Sequence, residues 1–160
     1  MSLFSCIGCE GFMIYSYGLK NYFGFKEGAE VSFVLNNRVP KDVSFGREVA
    51  TVLGVKGANG SGKTNLLKAL EFISSFCTTS FMRSDSSLIN ADSYFKNLKP
   101  SEFYMDFQVK DVRYTYEVAV TRKEVIYEKL YKKNVSTRQT RKVLVFERIK
   151  NEVTSRLDIL

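Results

Sequence analysis

Gly57-Ala-Asn-Gly-Ser-Gly-Lys-Thr64 decides how this chain of 160 residues is read. The octet fits the pattern G-x-x-x-x-G-K-[ST], the Walker A loop, and each position has a physical task. Gly57, Gly60 and Gly62 permit backbone angles that other residues avoid and let the chain wrap an anion closely. The amides of Asn59 to Thr64 then point inward at phosphate oxygens. Lys63 brings a cation to the β- and γ-phosphates and is the candidate catalytic residue. The Thr64 hydroxyl is the candidate Mg²⁺ ligand. The candidate phosphate-binding set is therefore Gly57, Ala58, Asn59, Gly60, Ser61, Gly62, Lys63, Thr64 and Asn65.

The surroundings suit that loop. Before it, Val49 to Val55 is a short continuous apolar run, the pattern of a buried strand. After it, Leu66, Leu67, Leu70, Ile73 and Phe76 recur at three- and four-residue spacing and predict an amphipathic helix over 63–76, whose amino-terminal amides face the same anion. Further upstream, residues 13–23 and Glu30 to Leu35 read as two strands of a hairpin. Asn36 to Gly46 is a loop, and the Ser- and Thr-rich residues 77–93 read as a surface loop or short helix. Downstream, Phe103 to Val109, Tyr114 to Val120, Val125 to Tyr131 and Val143 to Phe146 are four strand-like runs separated by turn residues, an antiparallel meander. The expected fold class is mixed α/β: hairpin, P-loop strand and helix, then meander.

Composition removes several chemistries. The chain has no histidine, so Ser-His-Asp hydrolysis and histidine-built zinc sites are out. Cys6-Ile-Gly-Cys9 is a single C-x-x-C with one further cysteine, Cys77, too few ligands for structural zinc. No apolar run reaches the ~18 residues of a membrane span. No basic segment precedes an apolar one at the N-terminus, so the expected location is cytoplasmic. Lys and Arg number 24 against 17 Asp and Glu, a net charge of +7. Lys129, Lys132, Lys133, Arg138, Arg141 and Lys142 follow one another with no acid between them. They are candidates for nucleic-acid contact, or form a solvated basic loop.

The base-recognition motif Asn-Lys-x-Asp of GTPases is absent. Lys20-Asn-Tyr-Phe-Gly-Phe25, a second strand, and then Gly57-Ala-Asn-Gly-Ser-Gly-Lys-Thr-Asn-Leu-Leu67 resemble the first half of an ABC-type ATPase head. The similarity is to the RecF, SMC and OLD group, closest to the AAA-type ATP-binding proteins of bacterial phage-defence operons. Ile126-Tyr-Glu-Lys-Leu130 and Val145-Phe-Glu-Arg148 are similar to later strands of that group. The resemblance implies ATP and Mg²⁺ as ligands, hydrolysis in a head completed by a second lobe, and a homodimer that sandwiches ATP. It also implies output to DNA or to a partner nuclease or effector subunit, away from membranes. It places Asn21, Tyr22 and Phe23 near the adenine, against a competing reading of Tyr22 and Phe25 as core aromatics. Gln108 and Gln139 are candidates for the glutamine that contacts Mg²⁺ and water in such heads.

Two departures stand out. Phe23 occupies a position that is often basic in the group. The signature segment, an Asp-Glu pair ending an apolar strand and a switch histidine are missing from these residues. The expectation is an incomplete head: residues 1–12 an extension, disordered or preceding the true start at Met13, and residues 13–160 the first lobe. Alone it is expected to be inactive. Two readings compete: a nucleotide-binding assembly module that never hydrolyses ATP, and a P-loop phosphotransferase with a parallel sheet throughout.

Overall fold

The computed structural model describes residues 11–80, 87–136 and 141–156. Its frame is one seven-stranded sheet in the order β2-β1-β3-β4-β5-β6-β7, every pairing antiparallel. The strands are β1 (Phe12–Lys20), β2 (Ala29–Ser32), β3 (Ser101–Val109), β4 (Val112–Val120), β5 (Val125–Asn134), β6 (Val143–Ile149) and β7 (Glu152–Ser155). The hairpin and the meander are thus joined: β1 pairs with β3 from Phe12 opposite Val109 to Lys20 opposite Glu102. The four predicted meander strands are present, and β7 adds a fifth. Its four residues are all exposed, so it carries little of the apolar signal by which strands are read.

Among the described residues two α-helices, α1 (Lys41–Ser44) and α2 (Lys63–Thr79), and a 3-10 turn at Tyr94–Lys96 interrupt the strands. α2 runs three residues past the predicted end at Phe76. Thr78 and Thr79 donate their hydroxyls to the carbonyls of Ser74 and Ser75, at 2.8 and 2.7 Å, and so tie the last turn to the one before it. The helix buries Ala69, Phe72, Ile73 and Phe76. Leu66 and Leu70 flank that stripe, while Leu67 is 62% exposed, so the buried face is turned from the predicted one.

The core forms where this stripe meets the sheet. Phe72 lies against Phe103 of β3 with ring centroids 4.4 Å apart, and Tyr22 meets Phe103 edge-on at 4.9 Å. Val118 and Val120 of β4 complete the floor with no exposed surface. Tyr17 of β1 donates its hydroxyl to the Leu66 carbonyl at 3.2 Å, fastening the first turns of α2 to the sheet. On the opposite face, the ring of Tyr104 covers Gly18, its cross-strand partner, where any side chain would collide with it. There too, Arg113 grips Asp106 through two hydrogen bonds of 3.0 and 2.7 Å and lies 3.8 Å above the Tyr15 ring.

Three expectations are corrected. Asn36 to Gly46, expected as a loop, contains α1. Residues 77–93, expected at the surface, begin inside α2 and bury Ile89 and Ala91, with 81–86 outside the described residues. Residues 49–55 do not form a buried strand. Val49 is buried and bridges Val34, but Val52, Leu53 and Val55 are 84%, 43% and 46% exposed. An extended run becomes a buried strand only where neighbours accept its amides and cover both faces. None of the described strands pairs with residues 51–56.

The buried phenols give the fold an alkaline limit. Burial pushes Tyr22 up to about 12, with the carboxylates of Asp92 and Glu71 adding to the shift, and burial likewise lifts Tyr104 to about 12. The unfolded chain ionises these groups near the ordinary value of 10. Between those values the unfolded state sheds protons that the folded state keeps, so stability is full below pH 10 and falls as pH rises towards 12. Tyrosinate absorbance followed together with circular dichroism should show the last phenols ionising as the strands melt. Ionisation of every tyrosine near pH 10 with the sheet intact would contradict this packing.

Candidate functional site

The loop Gly57 to Gly62 leads from the exposed run into α2. Gly60 and Gly62 take left-handed angles, φ 79° and 93°, which L side chains resist. Gly62 is the N-cap of α2 and carries no side chain to accept the first amides; no acidic residue stands in the first turn. Helix starts are usually closed by a Ser, Thr, Asp or Asn oxygen. Here only the Asn65 and Leu66 amides have an acceptor in the first turn, the Gly62 carbonyl, at 2.9 and 3.2 Å. The amides of Lys63 and Thr64 have none among the described residues, which leaves the positive end of a 17-residue helix open to an anion.

Lys63 is folded over this loop. Its ammonium donates to the carbonyls of Gly57 and Ala58, at 2.8 and 2.7 Å. An ammonium has three donors, so one remains to meet an anion held on the helix axis. The Ser61 hydroxyl sits close under Gly57: a β-carbon there would stand 2.9 Å from Ser61 Oγ. Thr64 is exposed at the helix start. Unlike Thr78 and Thr79, its hydroxyl makes no bond to a preceding carbonyl among the described residues. Asn65 lies beside the hairpin turn, with Nδ2 3.6 Å from where a Gly24 β-carbon would be.

The loop therefore brings Gly57, Ala58, Asn59, Gly60, Ser61, Gly62, Lys63, Thr64 and Asn65 into one stretch. Other candidates lie elsewhere. Asn21 is 7% exposed and occupied: its amide donates to Asn97 Oδ1 and to the carbonyls of Lys99 and Pro100, at 3.0, 2.9 and 3.0 Å. Asn97 returns a bond of 2.7 Å to its Oδ1. Asn21 and Tyr22 are parts of the core, and no face of either is open to a base. Phe23 is half-buried, with the Lys68 ammonium 4.6 Å from its ring centroid. Gln108 is at the other end of β3, five residues or about 16 Å along the strand from Phe103. Its Oε1 faces the Tyr15 hydroxyl at 3.0 Å and its Nε2 donates to the Lys110 carbonyl at 2.7 Å, so it is not at the loop.

In the basic segment, Lys129 is paired with Glu147 at 2.7 Å and Lys142 donates to the Thr115 hydroxyl at 2.7 Å. Of the segment's other described cations, Lys132 and Arg141 are exposed and Lys133 is half-buried. Arg138, Gln139, Cys6 and Cys9 lie outside the described residues. Cys77 is at the mouth of a groove of about 880 Å³ between α2 and the sheet, lined by Leu70, Phe107, Leu130 and Phe146. Burial raises the pKa of its thiol, the reverse of what a nucleophile needs. None of the loop residues lines this groove. Among the described residues no group of three or more His, Cys, Asp or Glu could hold a metal, and no helix is long and apolar enough to cross a membrane.

Two supports of the loop escaped the sequence. The Tyr15 hydroxyl reaches Glu48 Oε2 at 3.2 Å, tying the lead-in of the loop to the sheet. Phe25, read as a core aromatic, has its ring against Gly62. Neither contact has a local signature, because each joins residues more than 30 positions apart.

A phosphate-type loop before a helix packed on a sheet defines a P-loop ATPase-like domain. The chain belongs to the AAA domain family described as putative AbiEii toxin, Type IV TA system, whose model matches residues 52–156. The match starts at the lead-in to the loop and takes in α2 and β3 to β7, leaving the hairpin of β1 and β2 outside it. No curated protein matches the chain.

Asn21 provides a test of the division between core and site. Its replacement by alanine leaves the part-buried carbonyls of Lys99 and Pro100 and the Asn97 side chain without this partner, and puts a residue without a polar arm at φ 52°. The expected loss is about 2–4 kcal/mol of unfolding free energy in urea, with anion binding by the loop kept. Intact stability with lost ligand affinity would return Asn21 to the site.

Proposed function

We propose that this chain is the ATP·Mg²⁺-binding lobe of an ABC-type ATPase head, the first of two lobes. The carrying observation is the start of α2, where uncapped amides, two left-handed glycines and the Lys63 ammonium converge on one point. Residues with these donors fit a triphosphate: the amides of Asn59 to Thr64 take its oxygens and Lys63 takes the β- and γ-phosphates. The free Thr64 hydroxyl suits Mg²⁺, whose remaining positions go to phosphate oxygens and water. When bound, the cation supplies charge neutralisation on the transferring phosphoryl group.

The exposed run 51–56 supports the incomplete-head reading. It is an apolar strand in waiting, and its sides suit strands from a second lobe. Catalysis needs more than the loop: a carboxylate for Mg²⁺, a group that orients water and charge supplied in trans. In this reading the second lobe and a second head provide them, in a homodimer that encloses ATP. A nuclease or other effector subunit, or DNA met by Lys132, Lys133 and Arg141, receives the output, in an anti-phage or toxin–antitoxin setting. The phosphotransferase alternative expected a parallel sheet, and every described pairing is antiparallel. A non-hydrolysing assembly module shares the loop and differs only in turnover by the completed head.

The loop is tested by two variants measured together, with and without Mg²⁺, by calorimetric titration of ATP. Lys63→Ala should cost at least tenfold in affinity under both conditions, the loss of a charge-assisted contact. Thr64→Ala should weaken only the Mg²⁺-dependent part, since a single hydroxyl is removed. Unaltered binding by Lys63→Ala would remove the assignment. Equal losses for Thr64→Ala with and without Mg²⁺ would make Thr64 a helix-start residue and not a ligand.

A further inference from the structure

The turn that joins β1 to β2 reaches the phosphate loop. Tyr22 and Phe25 exchange backbone hydrogen bonds of 3.0 and 2.9 Å, closing a two-residue turn over Phe23 and Gly24. Tyr22 is 3% exposed and held between Phe23, Phe72 and Phe103. The turn is thereby anchored in the core, and Phe25 projects from it towards Gly62. A β-carbon on Gly62 would stand 2.8 Å from Phe25 Cζ and 3.0 Å from Cε2, closer than atoms can pack. The ring edge fills the space beside the residue that turns the loop into α2.

We propose that Phe25 is a positioning residue for the phosphate loop. Its ring, wedged against Gly62, keeps that glycine at φ 93° and so keeps the first amides of α2 aimed at the anion. Glycine is the residue with the widest choice of backbone angles. A loop containing Gly57, Gly60 and Gly62 is ordered only at an entropic cost, and a rigid neighbour that excludes the other conformations lowers what binding must supply. The ring accepts no hydrogen bond, so it fixes the helix start in space while leaving its first amides open. The inference rests on the phosphate-binding reading of the loop and adds the element that shapes it.

A ring near a nucleotide site has a second chemical use, stacking on a base, and the experiment separates the two. The full chain is titrated with ATP and with inorganic tripolyphosphate, both with Mg²⁺, as wild type, Phe25→Ala, Phe25→Leu and Lys63→Ala. The wedge predicts that Phe25→Ala weakens both ligands by the same factor, about tenfold, and that Phe25→Leu, which restores bulk without a π face, recovers most of it. A loss confined to ATP would make Phe25 a base-stacking residue and overturn the proposal, as would Lys63-dependent binding that ignores Phe25. Wild-type binding that ignores Lys63 would instead sink the loop assignment itself. Gly62→Ala tests the contact from the other side. Its new β-carbon is driven into the ring, so adding Phe25→Ala should cost little further or recover affinity. Additive losses would show that ring and loop are uncoupled.

Discussion

The packing of Phe72 against Phe103, rings tilted at 30°, is the contact on which the rest of the molecule depends. α2 is a 17-residue helix, and in a protein most of a helix's stability comes from packing its amphipathic face rather than from propensity. It meets the sheet through Ala69, Phe72, Ile73 and Phe76, and the hairpin turn through Phe72 and Lys68. Phe103 receives Phe72 at 4.4 Å and Tyr22 at 4.9 Å, so one ring of β3 locates both the helix and the hairpin turn. Aromatic pairs of this kind contribute about 0.5–1.5 kcal/mol each beyond the area they bury. Their direction matters as much as their size: the pair sets where α2 begins, and the loop Gly57 to Gly62 has to meet that point.

From this pair a continuous path of packed groups leads outward. Tyr22 holds the turn, the turn holds Phe25, and Phe25 lies against Gly62. On the other side, Tyr17 reaches the Leu66 carbonyl and Tyr15 reaches Glu48. The antiparallel sheet thus holds the chain at Glu48, ahead of the exposed run, and again at the loop's last glycine and its helix. The contrast is with residues 51–56, which have apolar side chains and none of these grips. That asymmetry, one side of the loop fully supported and the other bare, is the physical basis for reading the domain as half of a larger head.

Local patterns made much of this legible. The loop, its helix, the hairpin and the four meander strands each carry their own periodicity or glycine spacing and are present, though β1 and β2 end three residues before their predicted ends and α2 three residues after. The misses share one cause: they depend on what a segment meets, which spacing does not encode. Val52, Leu53 and Val55 read as buried because they are apolar, yet burial needs neighbours. Leu67 fits the helical stripe as well as Phe72 does, and only the position of the sheet chooses between them. Asn21 has the polarity of a ligand-binding residue, but its amide is consumed by Asn97, Lys99 and Pro100, more than 70 residues away. β7 is too polar to announce itself, and Phe25 gives no sign that it touches a glycine 37 positions on.

The proposed anion site consists of the loop amides from Asn59 to Gly62, of which Ser61's also faces the Ala58 carbonyl at 3.3 Å, and the open amides of Lys63 and Thr64. Amide hydrogen exchange of the full chain, with and without saturating ATP·Mg²⁺, measures those amides one by one. The account predicts that protection on binding is concentrated at Asn59 to Thr64, with the groove beneath α2 around Leu70 and Phe107 unchanged. Protection centred on that groove, with the amides of Asn59 to Thr64 still exchanging freely, would contradict it.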